Sequence, residues 1–308
     1  MIKLFRVAAF LFCAVGMLSS PSVASENTEQ QTVPEFKVPD DVQSDGSFRY
    51  SMPFSIPDFR GLEPNLGISY NSSFKGHGSA EVWTGAGWRL TGFSSIERVT
   101  IGGGTPTYND TRDLYRLDGT ELLACDDAAA INPWPATHSY PDRYKTENPS
   151  ASCSAGGNLA PIVENYRRVE LKQETYGGGQ VDYFVVTAKD GTQYRYDSLG
   201  VLAGDALNVT WNNYDVLFQR KFLLSEIRDT QVTPNVVTIS YDFSDQIKGR
   251  AHRPREIEYA GYKIWFNYSY QNKPLATYAT GAVGFLGTQN WRLDTCPGSA
   301  PMGPNSMI

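Results

Sequence analysis

Alternation of apolar and polar side chains dominates this chain and predicts short β-strands from about residue 44 onward. Residues 48–56 alternate Phe, Tyr, Met, Phe and Ile with polar or smaller residues, the period-2 pattern of a strand with one solvated face. Pro53 lies within this run and predicts an edge strand or a bulge, because proline cannot donate to a sheet hydrogen bond. Residues 66–70 and 88–96 repeat the alternation, with glycines between them.

The second half of the chain predicts β-hairpins. Residues 183–196 alternate on both sides of Asp190-Gly191, and Asp-Gly favours a tight turn because both residues tolerate positive φ. Residues 237–243 predict another strand, and residues 257–270 a further hairpin around Ala260-Gly261. No helical period extends beyond a turn or two. The 18 Tyr, 15 Phe, 6 Trp and 28 Gly suit pleated surfaces and tight turns. We therefore expect an all-β fold of stacked antiparallel hairpins.

The N-terminus has the three-part pattern of a signal peptide. Lys3 and Arg6 precede an apolar run at residues 7–18, and Ser22-Val23-Ala24 offers a cleavage site. The run is shorter than the roughly 18–20 apolar residues that a membrane span needs. An uncleaved anchor is the alternative. Residues 1–24 are thus a predicted signal peptide, residues 25–43 a flexible linker, and the protein is expected to be secreted, extracellular or periplasmic.

Residues 121–165 interrupt the strand pattern with Ala, Pro, Asn and Ser, which is typical of a surface excursion. Cys125 and Cys153 lie within this segment. Because export permits disulfides, we expect these two cysteines to pair and to pin the excursion at its base. Cys296 then has no assigned partner. The cysteines and histidines show no metal-ligand spacing.

Charge argues against a nucleic-acid partner. The chain has 27 Lys+Arg and 33 Asp+Glu, a formal net charge of −6, whereas nucleic-acid binding favours a clustered positive field. One local basic cluster stands between two predicted strands, and we expect a solvated loop there, with a binding patch as the alternative. Its members are Lys248, Arg250, His252, Arg253 and Arg255.

A block of short motifs within residues 46–100 resembles a known family. The motifs are Gly-Leu-x-Pro-Asn-Leu, Ser-Tyr-Asn-Ser and Gly-x-Gly-Trp-x-Leu-x-Gly. The residues that carry them are Gly61, Leu62, Pro64, Asn65, Leu66, Ser69, Tyr70, Asn71, Ser72, Gly85, Gly87, Trp88, Leu90 and Gly92. Together these motifs resemble the N-terminal domain of the Salmonella virulence plasmid B protein family, a domain that also opens the B component of Tc insecticidal toxin complexes.

A second motif resembles the tyrosine-aspartate repeat of RHS proteins. Its residues are Asp190, Gly191, Tyr194, Tyr196, Asp197 and Gly200. Residues 222–243 resemble another such repeat, with Pro234-Asn235 in place of the usual Gly-Asn turn. The likeness assigns residues 44–120 to the virulence-plasmid-B type and residues 166–295 to RHS-like hairpins. A short hairpin cannot bury its own apolar face, so neighbouring hairpins are expected to stack into a continuous sheet.

The resemblance implies a structural component of a secreted toxin complex. In such complexes B-component strands help to build a hollow β shell around a toxic polypeptide. The implied partners are other β-rich subunits or downstream modules and a polypeptide cargo. Residues 296–308 do not continue the strand pattern, and they are either out-of-frame sequence or a natural tail. A truncated fragment is therefore expected, with an unpaired sheet edge around residues 264–270.

No catalytic residue, cofactor or metal is expected. Relatives in the virulence plasmid family carry an ADP-ribosyltransferase with a Glu-x-Glu motif, and Glu256-Ile257-Glu258 matches that string. The alternation instead makes both carboxylates the outward residues of a strand, and the supporting Ser-Thr-Ser strand is absent. Asp110, Asp113 and Asp118 are expected in turns rather than at calcium.

Two functions remain open, with a hydrolase as a third that lacks an acid/base pair. The first is the shell component. The second is a secreted or cell-surface β-rich module that binds carbohydrate or protein, for which Trp83, Trp211 and Trp265 could stack on sugars or, alternatively, fill a packed sheet. Further hairpin repeats encoded after Thr295 would favour the shell.

Overall fold

The computed structural model describes residues 46–74, 81–125, 138–141, 150–207, 215–244, 250–281, 286–295 and 300–301. These residues form an antiparallel β structure with three single-turn helical segments, so the predicted all-β class is confirmed. The predicted signal peptide, the linker and most of the tail lie outside the described residues, as do His77, Trp211, Lys248 and Cys296.

Three strands form an N-terminal sheet in the order β1–β2–β3. They are β1 (Arg49–Pro53), β2 (Gly67–Asn71) and β3 (Trp88–Thr91). Pro53 therefore lies on an edge strand, as its missing donor predicted. Tyr70 and Trp88 pack on one another across β2 and β3, with ring centroids 5.2 Å apart.

Eight consecutive strands close into a barrel, because each pairs with the next and the last pairs with the first. They are β4 (Ser95–Thr100), β5 (Asp113–Leu117), β6 (Thr120–Ala124), β7 (Leu159–Pro161), β8 (Arg168–Tyr176), β9 (Gly179–Thr187), β10 (Gln193–Ser198) and β11 (Lys221–Arg228). Rings of Tyr115, Phe184 and Phe222 meet in the core at centroid distances of 5.0 and 4.8 Å.

The barrel sheet continues outward as a wing. β11 also pairs with β12 (Val236–Phe243), followed in order by β13 (His252–Tyr259), β14 (Tyr262–Trp265) and β19 (Ala300–Pro301). Two ribbons complete the described strands. One pairs β15 (Asn267–Tyr270) with β18 (Trp291–Thr295), and the other pairs β16 (Ala276–Ala279) with β17 (Leu286–Gln289).

Residues 81–94 fill the space where the wing diverges from the barrel. The Trp83 Nε1 donates to the His252 carbonyl at 2.9 Å, and Phe93 packs edge-on against Tyr241 and Phe266. Burial of these aromatic rings supplies apolar contact between strands that do not pair with one another.

The helical segments are α1 (Ala151–Ser154), α2 (Leu199–Ala203) and one π-helical turn (Asp215–Gln219). Serines cap both α-helices, because Ser150 and Ser198 accept from backbone N–H groups three residues on. Within the described part of the chain, no helix is both long and apolar enough to cross a bilayer.

Two details of the predicted strands need correction. The hairpin expected over residues 257–270 ends at Trp265, because the chain then leaves β14 and β15 pairs in a separate ribbon. The edge expected to be unpaired around residues 264–270 has a partner in part, since β15 pairs with β18 on one side, whereas β19 reaches Tyr262 and Lys263 of β14.

Candidate functional site

The two sequence motifs face one another across a single cleft of about 890 Å³, which we call the motif cleft. One wall comes from β1 and residues 61–68. The other comes from β9, β10 and β11, including Val186, Tyr194 and Ile227. Residues of the family motif and of the repeat motif therefore share one concave surface, although at least 98 positions separate them in the sequence.

A tight turn shapes the family-motif wall. Arg60 and Gly61 both have positive φ, at 54° and 82°, and residue 61 can adopt this conformation without cost because it is glycine. The Glu63 carboxylate accepts from the N–H groups of Phe59 and Gly61 at 2.8 and 3.0 Å. These backbone donors, that of Phe59 first, lower the Glu63 pKa. The carboxylate thus stabilises the turn.

Glycines of the third family motif let backbone segments approach closely. A Cβ on Gly92 would lie 2.7 Å from the Asn65 carbonyl oxygen, and one on Gly87 would lie 2.5 Å from the Tyr70 ring. Both glycines have positive φ. The motif spacing therefore reflects packing between β2, β3 and the residues before β2, a structural role in the wall of the cleft.

The repeat motif builds the opposite wall. Asp190 caps the β9–β10 turn by accepting from the Thr192 N–H at 3.0 Å, and Gly191 adopts φ of 89°. The Tyr196 hydroxyl lies 2.9 Å from the Ser94 hydroxyl, which donates to Asp118 at 2.7 Å. Burial raises the pKa of Tyr196, so its phenol stays protonated in this contact. These hydrogen bonds connect the repeat motif to the residues just after Gly92.

The end of the repeat motif is also structural. Asp197 is buried, accepts from Ser225 Oγ at 2.6 Å and pairs with Arg195, which reaches Glu174 at 2.6 Å. Gly200 faces the Phe218 ring, where a Cβ would lie 2.4 Å from the nearest carbon. Every carboxylate in the motif therefore has a donor within this protein.

A second cavity, of about 710 Å³, lies between the barrel and residues 81–93, and we call it the charged cavity. Lys221 on β11 is buried and its Nζ contacts both Glu81 and, at 2.5 Å, Glu97 of the paired strand β4. Burial opposes charge on Lys221, but the two carboxylates outweigh it and raise the Lys221 pKa. The three side chains form a charge cluster in the cavity wall, in which Lys221 is buried while the side chains of Glu81 and Glu97 are 30% and 49% exposed.

His252 lies beside this cluster. Its Nε2 is 3.6 Å from the Glu81 carboxylate, and the ring is buried. Burial and the positive charge of Lys221 outweigh the attraction of Glu81, so the His252 pKa falls to about 4. Glu81 has a lowered pKa despite burial, because Lys221 and His252 stabilise its charge. His252 is therefore neutral near pH 7 while Glu81 is ionised.

A separate network of polar side chains, centred on His138, lies in the barrel. His138 bridges two carboxylates, with Nδ1 3.2 Å from Asp110 and Nε2 3.0 Å from Asp182 on β9. Arg98 on β4 pairs with Asp110 at 2.8 Å and with buried Asp113 at 2.9 Å. Burial opposes the charge of His138, but hydrogen bonds to both carboxylates raise its pKa to about 9. The network ties residues 138–141 to the barrel.

The predicted Glu-x-Glu strand is present. Ile257 is buried on β13, while Glu256 and Glu258 lie 3.1 and 3.2 Å from the Lys263 Nζ of the neighbouring strand β14. Glu256 also accepts from the exposed Trp265 at 2.6 Å. Both carboxylates therefore stand in a cross-strand ion pair.

Three other expectations change. The basic cluster is not a solvated loop where it is described, because His252 is buried and Arg253 packs with its Cζ 4.1 Å from the Trp291 ring centroid. Asp113 begins β5 and pairs with Arg98 instead of standing in a turn. Trp83 is buried, which favours the packing interpretation of that aromatic residue.

The structure joins Cys125 to Cys153 in a disulfide, with Cα atoms 5.7 Å apart. Cys153 belongs to α1, and Ala160 of β7 packs against the pair. Among the described residues, no group of three or more His, Cys, Asp or Glu side chains has a metal-holding arrangement.

Sequence reasoning missed the charge cluster and the His138 bridge. Pairing of β4 with β11 brings Glu97 to Lys221 across more than 120 positions, and Glu81 reaches Lys221 from the segment before β3. Lys221 carried one local signal, since three apolar residues, Phe222–Leu224, follow it directly in the sequence.

An antiparallel barrel with a strand wing and a cleft between its two motif-bearing walls defines the class of structure. No protein-family profile and no curated protein sequence matches the chain. Two solved structures share its fold. The TcdB2-TccC3 crystal structure has a TM-score of 0.53 and 16% identity over 81% of this chain. The N-terminal domain of effector protein SpvB from Salmonella typhimurium has a TM-score of 0.50 and 16% identity over 79% of this chain.

The motifs within residues 46–100 resemble the family of the SpvB domain, a domain shared with Tc toxin complexes, so that resemblance is confirmed at the level of the fold. The shared region is 13% of the TcdB2-TccC3 chain and 85% of the SpvB domain. This protein thus corresponds to a small part of the first and to most of the second.

Proposed function

We propose that this protein is a non-enzymatic structural module of a secreted, toxin-related complex, where its strands form part of a β shell around a polypeptide. The observation that carries the proposal is the fold shared with TcdB2-TccC3 and with the SpvB N-terminal domain over about four fifths of the chain. A likeness of this extent covers far more of the chain than one hairpin.

The side-chain contacts support a structural role. Glu63 and Asp190 cap turns, Asp197 accepts from Ser225, and Glu256 pairs with Lys263. A general acid or base needs a carboxylate placed toward a substrate, whereas these carboxylates hold backbone or side-chain donors. The motif residues build walls and turns.

Co-purification tests the shell role. The full chain, tagged at its C-terminus and expressed from its own locus, is purified natively and viewed by electron microscopy. We expect a large assembly with further β-rich chains and a polypeptide that resists added protease until the assembly is denatured. A monomer without partners would contradict the proposal.

A secreted binding module is the second candidate, and the concave motif cleft favours it. In that case Thr192→Arg, which places a long side chain in the cleft, would abolish binding on a glycan or protein array. Thr111→Arg, on an exposed turn outside the cleft, is the matched control and would leave binding unchanged. If Thr192→Arg still binds, the motif cleft is not the binding site.

Two measurements test the remaining parts of the proposal. We expect no NAD turnover, and a turnover that disappears in Glu258→Ala would show an enzyme instead. We also expect N-terminal sequencing of the exported protein to begin at Ser25, after cleavage at Ala24. A mature chain that still begins near Met1 would contradict cleavage.

A further inference from the structure

The wing leaves the barrel without strand pairing over part of its length. β11 pairs with β12 only at Glu226–Arg228, beside the turn that joins the two strands, whereas Lys221–Leu223 of β11 pair with β4. β12 and β13 therefore diverge from the barrel toward Phe243 and His252, which face one another in the register of those strands. Residues 81–94 fill the space between the diverging strands and β11, and we call this region the junction.

Contacts around His252 hold the junction together. The His252 carbonyl accepts from Trp83 Nε1 at 2.9 Å, and the His252 ring packs edge-on against the Trp83 ring at a centroid distance of 5.7 Å. On the wing side, Tyr241 packs against the same imidazole at 6.3 Å, and its hydroxyl donates to the Leu224 carbonyl of β11 at 2.7 Å. The imidazole is thus enclosed between the wing and residues 81–94, and His252 is only 1% exposed.

Charged and titratable groups face the His252 ring from other elements. Glu81, in the segment before β3, lies 3.6 Å from Nε2, which is longer than a hydrogen bond. Lys221 of β11 contacts the same carboxylate, and Arg220 precedes it in the chain. Tyr241 on β12 contributes a phenol that stays neutral, because burial raises its pKa. Among the described residues, neither ring nitrogen of His252 has a hydrogen-bond partner.

A proton on this ring is unfavourable while the junction is closed. Burial penalises the charged imidazole first, and the positive charges of Lys221 and Arg220 add to this penalty against the attraction of Glu81, so the His252 pKa falls to about 4. In an open junction the ring reaches water, where a histidine has a pKa of about 6.5. The closed form is therefore fully favoured above about pH 6.5, and it loses that advantage as the pH falls toward 4.

We propose that the junction is an acid-sensitive switch, in which a proton on His252 separates β12 and β13 from residues 81–94 and widens the charged cavity. The charge cluster stays ionised meanwhile, because Lys221 lowers the pKa of Glu97 and outweighs burial in lowering that of Glu81. Mildly acidic solution therefore changes one charge in this cluster of groups, that of His252. The switch is a property of the single chain and does not depend on the shell role.

Hydrogen exchange of the full chain at pH 7.5 and pH 5.5 tests the switch. We expect protection factors, corrected for the intrinsic effect of pH on exchange, to fall about tenfold at pH 5.5 in residues 81–94 and 239–257. This factor follows from a histidine pKa of about 6.5 in the open form and about 4 in the closed form. Residues 168–187, in β8 and β9 of the barrel, are the internal reference and are expected to lose no protection.

Two variants separate the charge of His252 from its packing. His252→Gln keeps a polar side chain without a titratable group, and its backbone carbonyl can still accept from Trp83. It should lose the difference between the two pH values in residues 81–94 and 239–257. His138→Gln removes a histidine from the barrel instead, and it is expected to keep the tenfold fall at the junction.

Three results would overturn the proposal. They are equal protection of the junction at both pH values, a fall of the same size in residues 168–187, and a fall that persists in His252→Gln. Should His252→Gln not fold, NMR of labelled histidines in the wild-type protein decides the question. The signals of His77 and His138 are assigned by their loss in His77→Gln and His138→Gln, and a His252 ring that titrates near pH 6.5 in the folded protein would refute the switch.

Discussion

At the residue scale, positive φ and close approach explain why particular motif positions are glycine. Gly92 has φ of 95° and its missing Cβ faces Asn65 and Leu66, so two separate constraints act on it. Gly102 has a nearly equal φ of 92°, but nothing lies within 4 Å of its missing Cβ. The chain therefore contains a matched pair in which only crowding differs.

We predict that Gly92→Ala destabilises the fold more than Gly102→Ala. The control is expected to cost about 1–2 kcal/mol from the left-handed backbone alone. The motif variant should cost a further 1–3 kcal/mol or so, because its Cβ meets a backbone oxygen that cannot move away easily. Urea unfolding of both variants gives their free energies of unfolding. An equal loss of stability in the two variants would mean that crowding at Gly92 does not affect stability.

His138 contributes to the stability of the fold in a way that depends on pH, and the direction of its raised pKa gives the sign of this dependence. Its pKa is raised to about 9 in the fold, against about 6.5 for an unperturbed histidine. The protonated ring between Asp110 and Asp182 thus stabilises the protein fully below about pH 6.5. This contribution is lost as the pH rises toward 9 and beyond.

We predict that the Tm difference between wild type and His138→Gln is largest near pH 6 and shrinks between pH 7 and 10. His252→Gln is the contrasting variant. The His252 pKa is lowered to about 4, so its titration acts as the pH falls below about 6.5 and not in the alkaline range. A difference for His138→Gln that does not vary with pH would mean that the bridge does not depend on charge.

At the element scale, the sequence predicts hairpins between neighbouring strands but does not predict pairing between strands that are far apart in the chain. The β9–β10 hairpin was predictable, because alternation and Asp190-Gly191 lie within one short window. Closure of the barrel was not, because Ser95–Glu97 pair with Lys221–Leu223 and no periodicity links strands so far apart. For the same reason the motifs were recognisable while their meeting across one cleft was not.

Wrong expectations about charged residues have a related cause. A basic run such as that around His252 predicts exposure on average, because charged groups are rarely buried without partners. The partners here, Glu81 for His252 and Asp242 for Arg253, come from other elements, and the run itself contains no sign of them. Burial of charge is thus decided by tertiary structure.

The disulfide connects the end of β6 to α1, and its two cysteines are 28 positions apart. In the chain-entropy treatment, closing a loop of this length stabilises the fold by roughly 3–4 kcal/mol. We predict a loss of that order for the double variant Cys125→Ser/Cys153→Ser. Non-reducing peptide mapping of protein made in an oxidising compartment should find the two peptides linked, and free alkylation of both thiols without reductant would contradict the bond.

For the whole molecule, surface composition argues for association. Trp265, Tyr270 and Leu286 are 38%, 58% and 62% exposed, and all three lie on strands that follow β13. β15 pairs with β18 on one side, and β19 pairs with Tyr262 and Lys263 of β14. Burial of apolar side chains is therefore the expected driving force, together with pairing at the strand edges that remain. A shell module would cover such side chains with its neighbours.

We therefore predict that the chain from residue 25 onward self-associates when it is purified alone, and that Tyr270→Ser/Leu286→Ser reduces the association. Val232→Ser is the control, because Val232 is fully exposed in the turn before β12 and its loss removes similar apolar surface elsewhere. Size-exclusion chromatography with light scattering at matched concentrations measures the effect. A wild-type protein that elutes as a monomer and melts sharply would show that the fold is stable with these side chains exposed to solvent. The binding-module function would then explain the fold better than the shell function.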